Sequence, residues 1–469
     1  MKRRVALVAI AAVLFAACAP VKPVEPEEVR LQDTRTSFAI DPSTLAFDAL
    51  PGDDTPTDRW SGVLGVAGYR IEVPRNWNGV LVMYAHGYIG EGNALVVRNV
   101  DIRRHLIDRG YAWAASSYSK NFYDVRAGVE DTNSLANAFV SIAAEHGRTL
   151  GTPTRSYITG VSMGGHVAAA AVEDETLATA RNVHRYDGAV PMCGVVGDVA
   201  LYDYFAGYQL AARQLAGVPG AISSTDWAAI APRVREALFA SPTSFDRPTA
   251  SGRKLKDIVM NLTGGPRPIF DEGFANAGLQ NVVWRTFGGD GTANGVLTRN
   301  VVDTTTTIYR YDASADELAR FNASTPRVSG TTDANRARRD GLRWIPAVNG
   351  QFHVPVVTLH TLGDLYVPFH MEQVYRQRAE RNGNADRLVQ RAIRAPSHCD
   401  FTVAERVEAF EAMVDWAERG IKPAGDDVVA PAVVAAAGYG CAYTRDEGGP
   451  DDTPAVIATR RTMPRCPTR

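Results

Sequence analysis

The chain has 469 residues, of which 50 are Lys or Arg and 52 are Asp or Glu, so its formal net charge is −2. This balance excludes a basic nucleic-acid-binding protein, because phosphate recognition needs clustered positive charge. The hydrophobic fraction of 45% and the charged fraction of 22% exclude a disordered chain and indicate a globular protein with a full core.

The N-terminus is predicted to be a signal peptide spanning residues 1–17. Three basic residues at 2–4 precede an apolar run at 5–17, which is the pattern of an export signal. The residues around Cys18 resemble the processing site of bacterial lipoproteins, and this resemblance implies a diacylglyceryl anchor on Cys18. It predicts a lipoprotein of the outer membrane, or one that faces the periplasm. The alternative is an ordinary signal peptide cut near Ala19, which would leave a soluble secreted or periplasmic protein.

A tether and N-terminal extension are predicted at 18–59, because residues 19–35 are rich in Pro, Glu and Val. Strands and helices then alternate, which predicts parallel crossovers and an α/β fold with a doubly wound, mostly parallel sheet. The run at 80–84 is apolar without interruption, as in a strand buried on both faces. The predicted strands are 65–73, 80–84, 111–116, 155–159, 186–192, 354–360 and 387–393. The predicted helices are 93–109, 126–146, 163–180, 370–382 and 402–419.

A long interruption separates the first five predicted strands from the last two. It spans about 150 residues, too many for a structureless loop, and therefore predicts a large inserted cap or lid subdomain. The insert opens with an aromatic-rich helical sequence at 201–205 and contains a predicted strand or hairpin arm at 303–311. The predicted domains are a first core part (60–197), the insert (198–350), a second core part (351–420) and a C-terminal tail that wraps the surface (421–469).

A nucleophile elbow is predicted where the strand at 155–159 ends and a helix begins. The sequence Gly160-Val161-Ser162-Met163-Gly164 matches the G-x-S-x-G pattern in this strand–turn–helix context. Gly160 and Gly164 lack the Cβ atoms that would collide in so sharp a turn. Ser162 is therefore the predicted nucleophile, and an ordinary Gly-rich turn is the alternative.

A Ser hydroxyl needs a base, and that base needs an orienting carboxylate. His398 follows the last predicted strand, at the carboxyl edge of the sheet where Ser162 also lies, so His398 is the predicted base. His360, which ends a strand, is the alternative base and fits better as a packed residue near the acid. Asp364 follows the preceding strand and is the predicted acid, with Asp198 as a substitute.

An oxyanion hole needs two N–H groups directed at the developing charge. The backbone N–H of Met163, directly after the nucleophile, is one predicted donor, and the N–H of Tyr88 is the other. Gly87 lets the chain turn after its strand, and His86 is expected to brace this loop rather than act as a base. The structural residues of the site are thus predicted to be His86, Gly87, Gly160 and Gly164.

With these motifs the chain resembles the α/β-hydrolase superfamily of serine hydrolases. The resemblance covers most of 60–197 and 351–420, and the residue order Ser, Asp, His agrees with it. It rests on His-Gly-Tyr at 86–88, Gly-Val-Ser-Met-Gly-Gly at 160–165, Gly-Asp at 363–364 and Ser-His-Cys at 397–399. It implies Ser162 as nucleophile, Asp364 as acid, His398 as base, and Tyr88 with Met163 as oxyanion donors.

Four cysteines remain after Cys18, an even number that predicts two disulfides in an oxidising compartment. Of the three possible pairings we favour Cys193 with Cys399 and Cys441 with Cys466, because the second pair would fasten a weakly apolar tail. Free buried thiols are the alternative.

The sequence therefore predicts an exported serine hydrolase that cleaves small-molecule or polymeric carboxylic esters through an acyl-enzyme intermediate. No cofactor and no metal are expected, since the chain has neither His-Glu-x-x-His nor Cys-x-x-Cys. Two alternatives stay open. One is a serine peptidase of the prolyl or aminopeptidase type on the same fold, and the other is a non-catalytic surface lipoprotein that only binds.

Overall fold

The computed structural model describes most of the chain after the predicted tether. The predicted signal peptide, Cys18 and the tether at 19–35 lie outside the described residues. Within them, no helix combines the length and the apolar character needed to cross a membrane. The described residues are 38–89, 92–218, 224–287, 301–338 and 341–467.

The fold is built on an eight-stranded sheet. In chain order its strands are β1 (Thr57–Leu64), β2 (Ala67–Pro74), β3 (Val80–Ala85), β4 (Ala112–Ser116), β5 (Arg155–Val161), β6 (Gly188–Met192), β7 (Val356–Thr361) and β8 (Leu388–Ile393). Across the sheet the order is β8-β7-β6-β5-β3-β4-β2-β1, and β2 runs antiparallel to both neighbours while every other pair is parallel. The predicted mostly parallel sheet is confirmed.

Helices cover both faces of this sheet, as a doubly wound fold requires. Val129 of α2 and Val167 of α3 pack in one core, whereas Leu106 of α1 and Phe410 of α12 pack in the core on the opposite face. The helices are α1 (Arg103–Asp108), α2 (Val125–Glu145), α3 (Met163–Ala171), α4 (Asp174–Thr179), α5 (Ala200–Leu215), α6 (Ser224–Leu238), α7 (Ala250–Leu262), α8 (Phe270–Ala275), α9 (Ala277–Thr286), α10 (Ala315–Ser324), α11 (His370–Arg381), α12 (Val403–Arg419), α13 (Pro431–Val434) and α14 (Pro454–Thr462), with short 3-10 helices at Pro42–Thr44 and Ala385–Arg387.

Strand β3 shows why its sequence is apolar throughout. Leu81 and Met83 point into one core, and Val82 and Tyr84 point into the other, because successive side chains of a strand alternate between faces. All six residues of β3 are buried. A strand with helices on both sides therefore has no polar face, and its sequence reads as a continuous hydrophobic run.

Six described helices, α5 to α10, lie between β6 and β7 in the chain. They pack through aromatic side chains: the rings of Trp227 and Trp284 stack with centroids 5.6 Å apart, and Tyr208 meets Phe287 edge-on at 4.8 Å. These residues belong to the same hydrophobic cluster as Leu81 of β3. The helical insert and one face of the sheet thus share a core.

Three sequence predictions are wrong in their details, and the first is the long helix at 93–109. Only α1 is helical there, while Ala94–Leu95 forms a parallel pair with Ala39–Ile40. The stretch carries β-branched residues, of which Val97 and Val100 are buried, and such side chains favour extended backbone. Their burial in the core on the α1 face outweighs the helical spacing.

The predicted strand or hairpin arm at 303–311 is also absent, because side chains from later in the chain bind its backbone. Arg327 Nη1 donates to the carbonyl oxygens of Thr304 and Thr307, and Asn322 pairs with both the N–H and the carbonyl of Tyr309. A backbone whose groups are already bonded has no need of a neighbouring strand.

The predicted helix at 163–180 is broken into α3 and α4. At the break, Glu173 is buried and its carboxylate accepts the N–H groups of Gly350 and Gln351 at 2.9 Å each. The N–H of Asp174 in turn donates to the carbonyl of Gln351 at 2.8 Å. These hydrogen bonds connect the residues between α3 and α4 to residues 350–351, which precede β7. Strand β1, which the sequence did not predict as a strand, pairs along its whole length with β2.

The C-terminal segment docks on the edge of the sheet and behind the loop that follows β8. The N–H of Asp426 donates to the Gln390 carbonyl at 2.7 Å, and Asp426 Oδ2 accepts the Ala392 N–H at 2.8 Å. This pairing covers edge strand β8. Further along, the buried Arg460 of α14 donates to the Asp400 carbonyl at 2.7 Å.

Candidate active site

The predicted elbow lies between β5 and α3. Ser162 has φ 58° and ψ −122°, a backbone conformation that a residue with a side chain rarely adopts. Its N–H donates to the Met192 carbonyl of β6 at 3.0 Å, and its carbonyl accepts the His166 N–H at 3.1 Å. Strain of this kind is typical of functional positions held by the surrounding structure.

Glycines make the elbow possible because backbone approaches backbone on every side. A Cβ on Gly160 would lie 2.1 Å from the Gly164 carbonyl oxygen, and one on Gly164 would lie 2.0 Å from the Ala85 oxygen. A Cβ on Gly165 would lie 2.7 Å from the Cα of Gly194. No side chain fits at these three positions without displacing main chain.

Three far-apart residues meet at this elbow. His398 Nε2 lies 2.8 Å from Ser162 Oγ, and His398 Nδ1 lies 2.6 Å from Asp364 Oδ2. The sheet explains the meeting, because β5, β7 and β8 are parallel and their carboxyl ends share one edge. Such a chain of hydrogen bonds can move a proton from a hydroxyl to an imidazole while a carboxylate stabilises the imidazolium.

Asp364 is fully buried, and the turn that follows it holds its carboxylate. Oδ1 accepts the N–H of Tyr366 at 2.8 Å and the N–H of Val367 at 3.0 Å, which leaves Oδ2 for His398. These two backbone donors hold the carboxylate in one orientation. We call residues 362–367 the acid loop.

The helical insert holds the acid loop from outside. Tyr204 Oη donates to the Leu365 carbonyl at 2.9 Å, and Arg267 Nε donates to the Leu362 carbonyl at 2.7 Å. A Cβ on Gly273 would lie 2.0 Å from the Gly363 oxygen, so α8 rests directly on the loop backbone. Burial lowers the pKa of Arg267 to about 10, so this side chain remains a cation near Asp364.

The loop after β3 lies beside the candidate nucleophile because Ala85 pairs with Gly160 across the sheet. A Cβ on Gly87 would be 3.2 Å from the Ser162 Cβ. Met163 is the first residue of α3, so its N–H belongs to a helix N-terminus that favours negative charge. The roles of Tyr88 and Met163 as oxyanion donors stay predictions.

His86 sits beneath this loop. Its ring stacks on Tyr118 with centroids 4.0 Å apart, and Tyr118 Oη donates to the His86 carbonyl at 2.9 Å. Burial lowers the pKa of His86 to about 4, so the ring is neutral at ordinary pH. Its Nδ1 lies 2.6 Å from the Gly87 oxygen, a contact that suits a loop-bracing residue.

The two alternative residues lie elsewhere. Asp198 is bound by Arg378, whose Nη1 lies 2.6 Å from Oδ2, and it also accepts the N–H of Val348 at 3.0 Å. His360 is buried under the acid loop, where its Nε2 lies 2.8 Å from the Val367 oxygen. The structure brings neither of them to Ser162 by a hydrogen bond among the described residues.

A disulfide joins Cys193, directly after β6, to Cys399, directly after His398. A second disulfide joins Cys441 to Cys466, so the predicted pairing is confirmed. Disulfides are typical of extracellular or periplasmic proteins. In the described part of the chain, Cys193, His398 and Cys399 are the one group of three or more His, Cys, Asp or Glu residues whose potential ligand atoms all lie within 4.8 Å of one another. The two sulfurs are bonded to each other and are not thiolate ligands.

Aromatic side chains surround the candidate base, and the sequence predictions did not single them out. The edge of Tyr366 meets the His398 ring at 5.3 Å between centroids, and Phe205 of α5 lies 6.0 Å from Tyr366. Burial raises the pKa of Tyr366 to about 12, so its hydroxyl stays protonated. The position of Tyr366 two residues after the acid was the available signal.

The strand order and the strained elbow are those of the α/β-hydrolase fold, and this chain has that fold. No family model matches the chain. The chain is 26% identical over 416 residues to the o-phthalyl amidase of Xanthobacter agilis, a match that covers 76% of this chain and 86% of that protein.

Solved structures resemble the chain more distantly. Feruloyl esterase B from Aspergillus oryzae matches with a TM-score of 0.47 and 16% identity, over 86% of this chain and 87% of that one. An esterase from Aspergillus oryzae matches with a TM-score of 0.44 and 14% identity, over 83% and 85% of the two chains. The Pyrococcus horikoshii acylaminoacyl peptidase matches with a TM-score of 0.37 and 10% identity, over 80% of this chain and 44% of that one.

Proposed function

We propose that the chain is an exported serine hydrolase that cleaves carboxylic esters through an acyl-enzyme intermediate. Ser162 is the nucleophile, His398 the general base and Asp364 the acid that orients it. The observation that carries the proposal is the unbroken hydrogen-bond chain across these residues, with distances of 2.8 Å and 2.6 Å. The sequence likeness to a protein named an amidase supports a hydrolase.

The proposed reaction has two halves. His398 takes the proton of Ser162 as Oγ attacks the acyl carbonyl, and the N–H groups of Tyr88 and Met163 bind the oxyanion. His398 then gives the proton to the leaving alcohol. A water molecule activated by His398 cleaves the acyl-enzyme, and Asp364 stabilises the imidazolium in both halves.

We propose that the helical insert covers this site as a cap and shapes its specificity. The support is the position of α5, whose Phe205 packs on Tyr366 next to the His398 ring. The neutral aromatic surface favours an apolar or aromatic acyl or alcohol group. The domain borders predicted from the sequence, with the cap at 198–350, belong to this proposal.

Labelling and turnover of the full chain test the proposal. Wild-type protein is expected to react with a fluorophosphonate probe and to hydrolyse nitrophenyl esters, and Ser162→Ala is expected to do neither while it stays folded. Loss of the nucleophile lowers kcat by about 10⁴-fold or more. Ser141→Ala is the matched control, since this serine lies on the exposed side of α2 and its hydroxyl donates to the Ala138 carbonyl of the same helix. An unlabelled, inactive wild type with intact folding would favour a binding protein instead.

Amide cleavage is the second candidate, favoured by the name of the amidase to which the sequence is 26% identical. Paired substrates decide between the two bonds: a nitrophenyl ester and a nitroanilide of the same acyl group, together with a phthalyl amide. Faster turnover of the anilide would favour an amidase. Activity on aminoacyl anilides alone would favour the peptidase of the prolyl or aminopeptidase type.

We also propose that the protein is exported and anchored to a membrane surface through a lipid on Cys18. The two disulfides support export. Expression in a bacterial host with labelled palmitate is expected to label the wild type and not Cys18→Ala. Release of unlabelled wild type into the soluble periplasm would contradict the anchor while leaving the hydrolase proposal intact.

A further inference from the structure

A second histidine lies under the acid loop and has no part in the reaction proposed above. His360 is fully buried in β7. Its Nε2 lies 2.8 Å from the Val367 carbonyl oxygen, and its Nδ1 lies 3.2 Å from Glu372 Oε1. Because a carbonyl oxygen only accepts, Nε2 carries a hydrogen. The charge of the ring is therefore decided at Nδ1.

The hydrogen bonds of Glu372 show whether Nδ1 of His360 carries a hydrogen. Glu372 Oε2 accepts from Thr358 Oγ1 at 2.5 Å and from Gln390 Nε2 at 2.6 Å. The orientation of the Gln390 amide is fixed, because Arg376 donates to its oxygen at 2.9 Å. With Oε2 accepting two donors, a single proton lies between Oε1 and Nδ1, and it belongs to the imidazole, the more basic of the two groups. His360 then donates from both ring nitrogens, which makes it an imidazolium.

The charges around the ring agree with this assignment. Burial lowers the pKa of His360, but the hydrogen bond to Glu372 and the charges of Glu372 and Asp364 outweigh burial and raise the pKa above its usual value. Among basic groups, His370 interacts with the His360 ring. Burial, together with the charges of Arg267 and His360, lowers the pKa of His370 to about 3, so that ring is neutral.

The imidazolium is linked to the candidate acid through one residue of the acid loop. The Val367 carbonyl accepts from His360, and the Val367 N–H donates to Asp364 Oδ1 at 3.0 Å. We propose that His360 is a positioning residue for Asp364: the buried imidazolium of His360 fixes the acid loop and places a positive charge behind the Asp364 carboxylate. This inference rests on the proposed triad and adds a Glu372–His360 pair behind it.

Nitrogen NMR of histidine-labelled wild type tests the charge directly. At about pH 6.5, where an ordinary histidine is half protonated, both ring nitrogens of His360 are expected to be protonated in most molecules. His166 is the internal comparison: it is equally buried, burial lowers its pKa, and its ring nitrogens face Tyr123 Oη at 2.8 Å and the Pro346 oxygen at 2.8 Å. A neutral His360 ring with one protonated nitrogen would overturn the proposal. Glu372→Gln is expected to turn that ring neutral.

Kinetics test the positioning role. His360→Gln keeps a donor for the Val367 carbonyl and removes the charge. We expect kcat for ester hydrolysis to fall about tenfold with KM unchanged, because His360 does not touch substrate. The acid limb of kcat/KM is expected to move up by about half a pH unit or more, because His398 binds its proton more tightly once the cation is gone. His166→Gln is the matched control and should leave the limb in place.

The outcomes separate this inference from the proposed function. If Ser162→Ala keeps wild-type hydrolysis, the triad itself is wrong. If Ser162→Ala is inactive and His360→Gln keeps the wild-type acid limb, the triad stands and the role of His360 is wrong. If His360→Gln does not fold, the charge measured on the wild type still supports or overturns the assignment.

Discussion

Ser162 has a backbone conformation that costs about 1–3 kcal/mol, and its neighbours must hold it there. They do so by close contact of main chain with main chain, at Gly160 against Gly164 and at Gly164 against Ala85. The Ser162 N–H is meanwhile bonded to the Met192 carbonyl on β6. Packing between strands, rather than the Ser side chain, therefore sets the direction of the hydroxyl.

A single methyl group at the elbow should therefore destabilise the protein. For Gly160→Ala we expect the free energy of unfolding to fall by about 3 kcal/mol or more, with loss of esterase activity, because the new Cβ would lie 2.1 Å from the Gly164 oxygen. Gly151→Ala is the control, since nothing lies within 4 Å of that Cβ. Denaturant titration and ester turnover check both, and equal stability of the two variants would contradict the crowding argument.

Replacing either of the two carboxylates considered for the acid should have a different effect on the enzyme. Asp364→Asn is expected to lower kcat by about 10³–10⁴-fold with little change in KM, because an amide does not hold His398 in the required tautomer. Asp198→Asn removes the charge that pairs with Arg378, so it should lower stability and leave kcat within about threefold of wild type. Steady-state kinetics on folded protein decide, and a reversed pattern would make Asp198 the acid.

At the scale of elements, the two disulfides fasten different parts of the fold. Cys193–Cys399 closes a sequence separation of 206 residues and ties the end of β6 to the residue after His398. Cys441–Cys466 closes 25 residues of the C-terminal segment. Chain entropy alone makes the first worth about 5 kcal/mol and the second about 3–4 kcal/mol.

Paired serine variants test this difference. Replacing Cys193 and Cys399 by Ser should lower both the free energy of unfolding and esterase kcat, because the His398 loop loses its tie to β6. Replacing Cys441 and Cys466 by Ser should lower stability and leave kcat near wild type. Thermal unfolding and turnover at about 25 °C check both, and equal loss of kcat in the two variants would show that the first disulfide has no special link to His398.

The elements that the sequence predicted correctly are those whose local pattern and burial agree. The run at 80–84 is apolar because β3 is covered on both faces. The sequence at 160–165 is Gly-rich because main chain packs closely against main chain at the elbow. The stretch at 303–311 was predicted wrongly because its backbone partners, Arg327 and Asn322, come later in the chain. Local pattern carries no information about such distant partners.

The same contrast holds for the candidate site. Ser162, Asp364 and His398 follow strand ends, which parallel sheet topology brings to one edge, so their juxtaposition was predictable. The contacts of Tyr204 and Arg267 with the acid loop were not, because they depend on how the insert folds back on the sheet. The catalytic roles of the three residues stay predictions until they are tested.

At the scale of the whole molecule, a buried carboxyl makes stability depend on pH. Burial raises the pKa of Glu173 from 4.5 to about 7, so the folded state holds this proton more tightly than the unfolded chain. The folded state therefore binds more protons between these values, and its stability falls as pH rises toward about 7 and levels off above it. Buried histidines with lowered pKa values, such as His86, act in the opposite sense but below about pH 6.5.

We expect the free energy of unfolding to fall by about 1 kcal/mol between about pH 6 and pH 8 through Glu173. Asp203, whose pKa burial raises to about 7, adds in the same direction. Glu173→Gln should be less stable overall, because an amide meets two N–H donors with one oxygen, yet its stability should vary less with pH. Urea titrations across this pH range measure how the free energy of unfolding of each protein changes with pH. An equal change in the wild type and in Glu173→Gln would show that Glu173 does not contribute.

The contacts between the helical insert and the acid loop have a consequence for protein engineering. Tyr204, Arg267 and Gly273 all contact the backbone of the acid loop around Asp364. Excising the insert to obtain a minimal hydrolase would remove these contacts and leave the Asp364 turn unsupported on that side. Altered selectivity is better sought by changing individual side chains on α5, such as Phe205, than by swapping the insert as a module.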